Sequence, residues 1–306
     1  MKKVKLKSEI KKVKLKELPK SFFRAFILRR KSTVDVSGRK ATVPCVISLT
    51  SIPSRLQTVD LVIRSLLRQS CLAEKIILWL NLSLEGQLPR QLAELQSDRF
   101  EIRFRDGASS HRKLVFSLLE LSNKTLVTCD DDLMYDETWL ERLYADHQLY
   151  PQAIIAHECR SITVLNKELL DYQQWPTVRR NNFSHPSLLP IGYGGVLYPN
   201  GALYGDVTNQ DLYMRLAPKA DDLWFKAMGY LKGTMVRRSS DSGRKPLPII
   251  GAKGSSLAKT NILQDGNRIQ WQAICDHYSF SPSCSDSVKA EHSSNPGNGE
   301  KNDDES

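Results

Sequence analysis

From residue 43 the chain alternates between two hydrophobic periods. VPCVISLT is an unbroken apolar run, the pattern of a strand buried on both faces, and RLQTVDLVIRSLLRQS behind it places Val59, Val62, Ile63, Leu66 and Leu67 at helical spacing. KIILWLNL predicts a second strand, PRQLAELQS a weaker helix and FEIRFRD a third strand. HRKLVFSLLELS then predicts a helix with Leu114, Leu118 and Leu121 on one face. TLVTC is the fourth strand, ETWLERLYADHQ a further helix and AIIAHEC a fifth strand. Strand alternating with helix predicts an α/β domain, Rossmann-like, with a mostly parallel sheet and helices on both faces.

The flanks differ from this body. At 306 residues and 41% hydrophobic, the chain is long enough for a substantial core. Its formal charge of +10 is uneven: residues 1–31 hold thirteen Lys or Arg against Glu9 and Glu17, which leaves the rest close to neutral. We expect a basic arm over 1–40, a folded domain over 41–280 and a disordered tail over 281–306, which is rich in Ser, Asn, Gly and charge. The arm repeats KKVKLK and ends in SFFRAFIL. Basic residues beside Phe22, Phe23 and Phe26 suit a peripheral contact with an anionic membrane face, and a merely solubilising arm fits the same composition. A nucleic-acid partner is disfavoured, because the near-neutral body lacks the basic recognition surface that backbone binding needs. No secretory signal or spanning segment is expected. The six cysteines show no metal-binding spacing, and together these features point to the cytoplasm.

The fourth strand runs into three carboxylates, in TLVTCDDDLMYDETW. Acids with ordinary pKa values of about 3.9 repel one another at neutral pH, so something positive must stand near them. A solvated turn answers this in one way. A divalent cation with a phosphorylated ligand answers it in another, since Mg²⁺ is commonly held by one or two carboxylates plus substrate phosphates. The position favours the second, because open α/β sheets bind ligands outside the carboxyl ends of their strands. Asp136 reads as the N-cap of a helix beginning at Glu137. Downstream, IGYGGVLYPNGAL supplies Gly192, Gly194 and Gly195, which permit positive φ or close approach of backbone to a ligand. Asp221 and Asp222 precede the helical run LWFKAM, where they suit a helix start or a general base.

Taken in order, VISLTSIPSRL, KIILWL, RDGASSHRKL, TCDDDLMYDETWL, GYGGVLYP and ADDLWFKAM resemble the family-2-like glycosyltransferases of the GT-A fold, particularly bacterial members acting on surface polysaccharides. The likeness spans about residues 43 to 278. It implies a nucleotide-sugar donor, a saccharide or lipid-linked acceptor, and Mg²⁺ or Mn²⁺. By that resemblance Thr50, Ser51, Pro53 and Arg55 frame the nucleotide, with Asp106 near the base and Lys113 at the diphosphate. Asp130 and Asp132 match the DxD motif, the first near the ribose and the last on the metal, with Asp131 between them; Gly194 and Gly195 join the donor site. Asp222 matches the base that deprotonates the acceptor, and Asp221 stands where Glu is common. Direct displacement would invert the anomeric carbon.

His277 is a further candidate for the metal or phosphate but reads first as a packed or surface residue, and His157 reads as structural. Trp175, in an irregular stretch, could line an acceptor site. A phosphatase with an aspartyl nucleophile also sets DxD after a strand. It usually does so after the first strand, with a small hydroxyl residue shortly afterwards, whereas here Leu133, Met134 and Tyr135 follow the fourth.

Overall fold

The structure, a computed structural model, describes residues 17–30, 40–107, 109–121, 123–252 and 265–284. The arm before residue 17, residues 31–39 and the tail beyond 284 lie outside the described residues.

In chain order the elements are α1 (Leu18–Arg30), β1 (Thr42–Thr50), α2 (Val59–Leu66), β2 (Leu72–Leu80), α3 (Arg90–Ala93), β3 (Phe100–Phe104), α4 (Arg112–Glu120) and β4 (Thr125–Thr128). Then come β5 (Leu133–Met134), α5 (Trp139–Leu149), β6 (Ile154–Ala156), β7 (Cys159–Ser161), β8 (Val164–Leu165), β9 (Glu168–Leu169), β10 (Phe183–Ser184), β11 (Leu188–Pro190) and β12 (Val196–Tyr198). The rest are α6 (Gln210–Leu216), α7 (Asp221–Leu231), β13 (Val236–Arg238), β14 (Leu247–Pro248) and α8 (Gly266–Tyr278).

Eight strands form one sheet in the order β10-β13-β6-β12-β4-β1-β2-β3. β3, β2, β1 and β4 are parallel neighbours, and β6 and β13 run the same way. β12, wedged between β4 and β6, and the edge strand β10 oppose them. The fold is therefore α/β and Rossmann-like, with the mostly parallel sheet that the alternating pattern predicts. Successive strand residues point to opposite faces. Val46, Ile77, Trp79 and Leu126 pack with α4 and α7, while Cys45, Ile47, Leu78 and Val127 pack with α2 and α5. Both faces are covered, which is why these strands read as continuous apolar runs.

Several boundaries differ from expectation. GYGGVLYP holds a central strand rather than only a loop: the three residues of β12 are too short to show a period between glycines and a proline. The helix expected from residue 55 starts at Val59, because Pro53–Arg55 closes a 3₁₀ turn first. α5 starts at Trp139 with Thr138 as its N-cap, so Asp136 is not the cap; its carboxylate takes the Thr138 N–H at 3.1 Å and pairs with Arg142 at 2.8 Å. The folded region reaches Cys284, which is buried, and the Pro282 carbonyl accepts the Trp271 indole N–H at 3.0 Å.

The expected separate arm is corrected in its described part. α1 packs on α2 and β14. Leu28 is fully buried, Ser21 Oγ donates to the Pro248 carbonyl at 2.5 Å, and Arg29 pairs with the buried Asp60 at 3.2 Å. No helix among the described residues is long and apolar enough to cross a membrane.

Candidate active site

The carboxyl ends of β1 and β4 bring the three aspartates to positive partners. The turn after β1 carries Arg55, whose guanidinium bonds Asp131 and reaches Asp132 at 3.2 Å. Ser51 Oγ donates to the other Asp131 oxygen at 2.5 Å. Asp131 is left 5% exposed, too enclosed to meet a ligand directly. Burial pushes its carboxyl up, against the pull of Arg55 and Ser51. Asp130 turns the other way. Its backbone N–H donates to the Tyr135 hydroxyl at 2.9 Å, and that hydroxyl donates to the Tyr193 carbonyl at 3.2 Å, tying the turn to the glycine loop.

Lys113 is the hub of the second half. Ser48 on β1 bonds its carbonyl, and Arg112 beside it bonds the carbonyls of Gly107 at 3.0 Å and Ser51 at 3.2 Å, so the start of α4 is fixed against the strand ends. The Lys113 ammonium then meets Asp221 at 2.9 Å, Asp130 at 3.2 Å and Asp222 at 4.0 Å. Burial alone would lower this lysine, but Asp221, Asp130 and Asp222 outweigh it and hold the ammonium well above its ordinary range.

Asp221 and Asp222 open α7, with Ala220 as the N-cap. Their environments diverge. Asp221 accepts from Ser110 Oγ at 2.8 Å; burial raises its carboxyl, yet Lys113 and the other partners hold it below the usual range. Asp222 accepts one hydrogen bond from the Gly192 N–H at 3.0 Å. Desolvation and the charge of Asp221 push its carboxyl up to about 7, with Lys113 pulling the other way. The Asp222 side chain is 29% exposed against 11% for Asp221, so Asp222 is the one a substrate can reach. Two adjacent acids with pKa values driven apart are a recurrent mark of a proton-transfer site.

The glycines serve this packing. A Cβ at Gly192 would stand 2.7 Å from Lys113 Nζ and 2.8 Å from Asp222 Oδ1. One at Gly194 would lie 2.9 Å from Glu158, and one at Gly195, whose φ is +102°, would run into the Trp139 indole. Gly194 and Gly195 thus face protein side chains. Trp139 Nε1 donates to the Gly194 carbonyl at 2.7 Å and locks the loop.

Other candidates are placed as follows. Thr50 Oγ1 donates to the Trp79 carbonyl at 2.8 Å, Pro53 is exposed on the 3₁₀ turn, and Asp106 is exposed just beyond β3. His157 is buried, with Nε2 at 3.0 Å from the Trp139 carbonyl, a structural role. His277 is exposed near the end of α8 and meets Tyr278 edge-on. Trp175 is core: it is buried, and its indole N–H donates to the Leu170 carbonyl at 2.9 Å, so it lines no open site. Sequence reasoning missed Ser110, Tyr135, Tyr193 and His111. Ser110 and His111 stand in the quoted GASSHRKL, and Tyr135 follows the aspartates by a few residues. His111 is fully buried and stacks on Tyr213 at 4.4 Å; burial lowers its imidazole to about 4, so it is neutral at pH 7.

Among the described residues no three His, Cys, Asp or Glu side chains are arranged to hold a metal. Asp130 and Asp132, 30% and 15% exposed, offer carboxylate oxygens on one turn. That donor set fits a hard cation whose remaining ligands are phosphate oxygens and water, and it does not fit an all-protein cage. A cavity of about 750 Å³ lies at the opposite, amino end of the sheet, lined by Tyr150, Asn200, Thr234 and Arg237 among others, and holds none of these residues.

No family model matches the chain, and no curated protein sequence does. Among solved structures, S. aureus TarS 1–349 in complex with UDP-GlcNAc is similar at 12% identity over 79% of this chain and 73% of that one, with a TM-score of 0.47. Against another structure of TarS 1–349 the chain spans 59% of that chain's length. The 4-diphosphocytidyl-2C-methyl-D-erythritol synthase of Anaerococcus prevotii is similar at 12% identity over 77% and 98%, with a TM-score of 0.41. An apo UDP-glucose pyrophosphorylase is similar at 10% over 78% and 98%, at 0.39. These likenesses are loose and bear on no side-chain assignment.

Proposed function

We propose that the protein is a metal-dependent, inverting glycosyltransferase that moves a sugar from a nucleoside-diphosphate sugar to a hydroxyl of a saccharide or lipid-linked acceptor, in the making of a surface polysaccharide or glycoconjugate. The observation that carries the reading is the placement of Asp222: a reachable carboxylate on the Gly192 N–H, held across Lys113 from the strand-end aspartates, with burial and Asp221 raising it above the usual carboxylate range. The quoted GT-A motifs supply the substrate class.

In this reading the acceptor oxygen attacks the anomeric carbon while its proton passes to Asp222. The bond from that carbon to the diphosphate oxygen breaks, and the electron pair leaves on the oxygen. General-base help of this kind contributes about 10²- to 10⁴-fold. A Mg²⁺ or Mn²⁺ held by Asp130 and Asp132 with donor phosphates would stabilise the leaving charge as a Lewis acid. Arg55 positions the turn by neutralising Asp131 and Asp132. Asp221 stays ionised and anchors Lys113.

This division of labour predicts a pH effect. Asp222 works deprotonated, so kcat/KM should rise with pH through about 7. Asp221→Asn removes a like charge, favours ionised Asp222 and should move that limb down by about one pH unit, with a smaller loss of turnover than any change at Asp222. A limb that stays in place would contradict the coupling.

The direct assay incubates a panel of nucleotide-sugars with saccharide acceptors and Mn²⁺ and follows nucleoside diphosphate release. Release that depends on acceptor supports transfer. Release of inorganic phosphate from simple phosphomonoesters, with none from nucleotide-sugars, would replace the reading with a phosphatase.

A further inference from the structure

The outer face of α1 carries three phenylalanines that the fold leaves in water. Phe22, Phe23 and Phe26 are 69%, 64% and 47% exposed. At 3.6 residues per turn they share one side of the helix with Pro19 and Arg30, opposite the buried Ser21 and Leu28. The docked face already has its partners in α2 and β14, so the aromatic face is surplus to folding. A contiguous exposed aromatic patch of this kind marks an interaction site.

The charge around the patch selects the partner. Arg30 lies over the Phe26 ring at 4.3 Å, and Lys20 and Arg29 flank the face. Residues 1–31 hold thirteen basic side chains against two acidic ones. Pairing this face with a second copy would set like charge against like. An anionic bilayer suits both features at once: aromatic rings enter the headgroup boundary while basic side chains meet lipid phosphates.

We infer that α1 is a membrane-docking helix that seats Phe22, Phe23 and Phe26 in an anionic lipid surface. The helix is rigidly tied to the candidate site. Arg24 donates to the Tyr135 carbonyl at 3.4 Å, Ser21 to Pro248 at 2.5 Å, and the β14–β5 ribbon returns to the aspartates through the Ile249 N–H on the Asp132 carbonyl at 2.9 Å. Docking therefore fixes the aspartate turn relative to the membrane. α1 and the charge of residues 1–31 carry this inference, which does not depend on the transfer chemistry.

The test uses the full chain in co-sedimentation with phosphatidylcholine vesicles, with and without phosphatidylglycerol, at low salt. The wild type should sediment with the phosphatidylglycerol vesicles. A Phe22→Ser, Phe23→Ser, Phe26→Ser variant, which keeps every charge, should bind at least about tenfold more weakly, since the apolar area that its rings would bury in the lipid is lost. Thermal melting of the variant should match the wild type, because the replaced rings face solvent. Equal binding by the variant would mean charge alone holds the protein and overturns the inference. So would failure of the wild type to bind, or a wild-type dimer in sedimentation velocity that the variant loses.

Discussion

Asp222→Asn should bind a nucleotide-sugar nearly as the wild type does and turn over at least about 100-fold more slowly. The amide keeps the size of the side chain and can still accept the Gly192 N–H, so the glycine loop and the start of α7 stay in place. What is lost is a group that takes a proton near pH 7. Single-turnover kinetics beside donor titration checks this, because the prediction separates chemistry from binding. Asp221→Asn should cost less. Were the two variants to behave in the opposite order, the base would move by one position and the mechanism would stand. Normal turnover in both would leave the pair as first-turn residues of α7, worth about 0.3–1 kcal/mol each to the helix and nothing to catalysis.

Asp132→Ala is the second large effect. It removes the more enclosed of the two carboxylates offered to a cation, while Arg55 keeps Asp131 and the turn keeps its Tyr135 anchor. Relief of like-charge repulsion offsets part of the lost ion pair, so the melting temperature should change little. Activity should fall by more than the about 10- to 100-fold that follows loss of an outer-shell partner of a metal. Assays across a Mn²⁺ titration check the cause, since a lost ligand shifts the metal dependence. Full wild-type activity in chelator would end the metal assignment.

The sheet was readable where burial on both faces makes a strand a continuous apolar run, as in Cys45 to Leu49 of β1. α2 and α4 were readable because their apolar spacing is helical. β12 was not: three residues that pair antiparallel with both β4 and β6 are held by partners distant in sequence, and no local period announces them. α1 was read as part of an arm because of the basic charge of residues 1–31, and the small face of Ser21 and Leu28 that docks gives no apolar stripe to set against it.

In the candidate site, residue types and strand-end position were readable, but the sharing of charge was not. Lys113, expected at the diphosphate, is buried among Asp130, Asp221 and Asp222, and Arg55 is bonded to Asp131 and Asp132. Such pairings depend on four segments meeting, which spacing along one chain does not encode. The contrast between Asp221 and Asp222 likewise follows from Lys113 standing at 2.9 Å from the first and 4.0 Å from the second, with Ser110 donating to Asp221.

The most direct test of the central claim is isothermal titration calorimetry of the wild type with a panel of nucleotide-sugars, with and without Mn²⁺. At least one nucleoside-diphosphate sugar should bind saturably, and that binding should require the metal, survive Asp222→Asn and be lost in Asp132→Ala. Absence of binding by every nucleotide-sugar in the presence of Mn²⁺, or binding indifferent to both the metal and Asp132, would contradict the central claim.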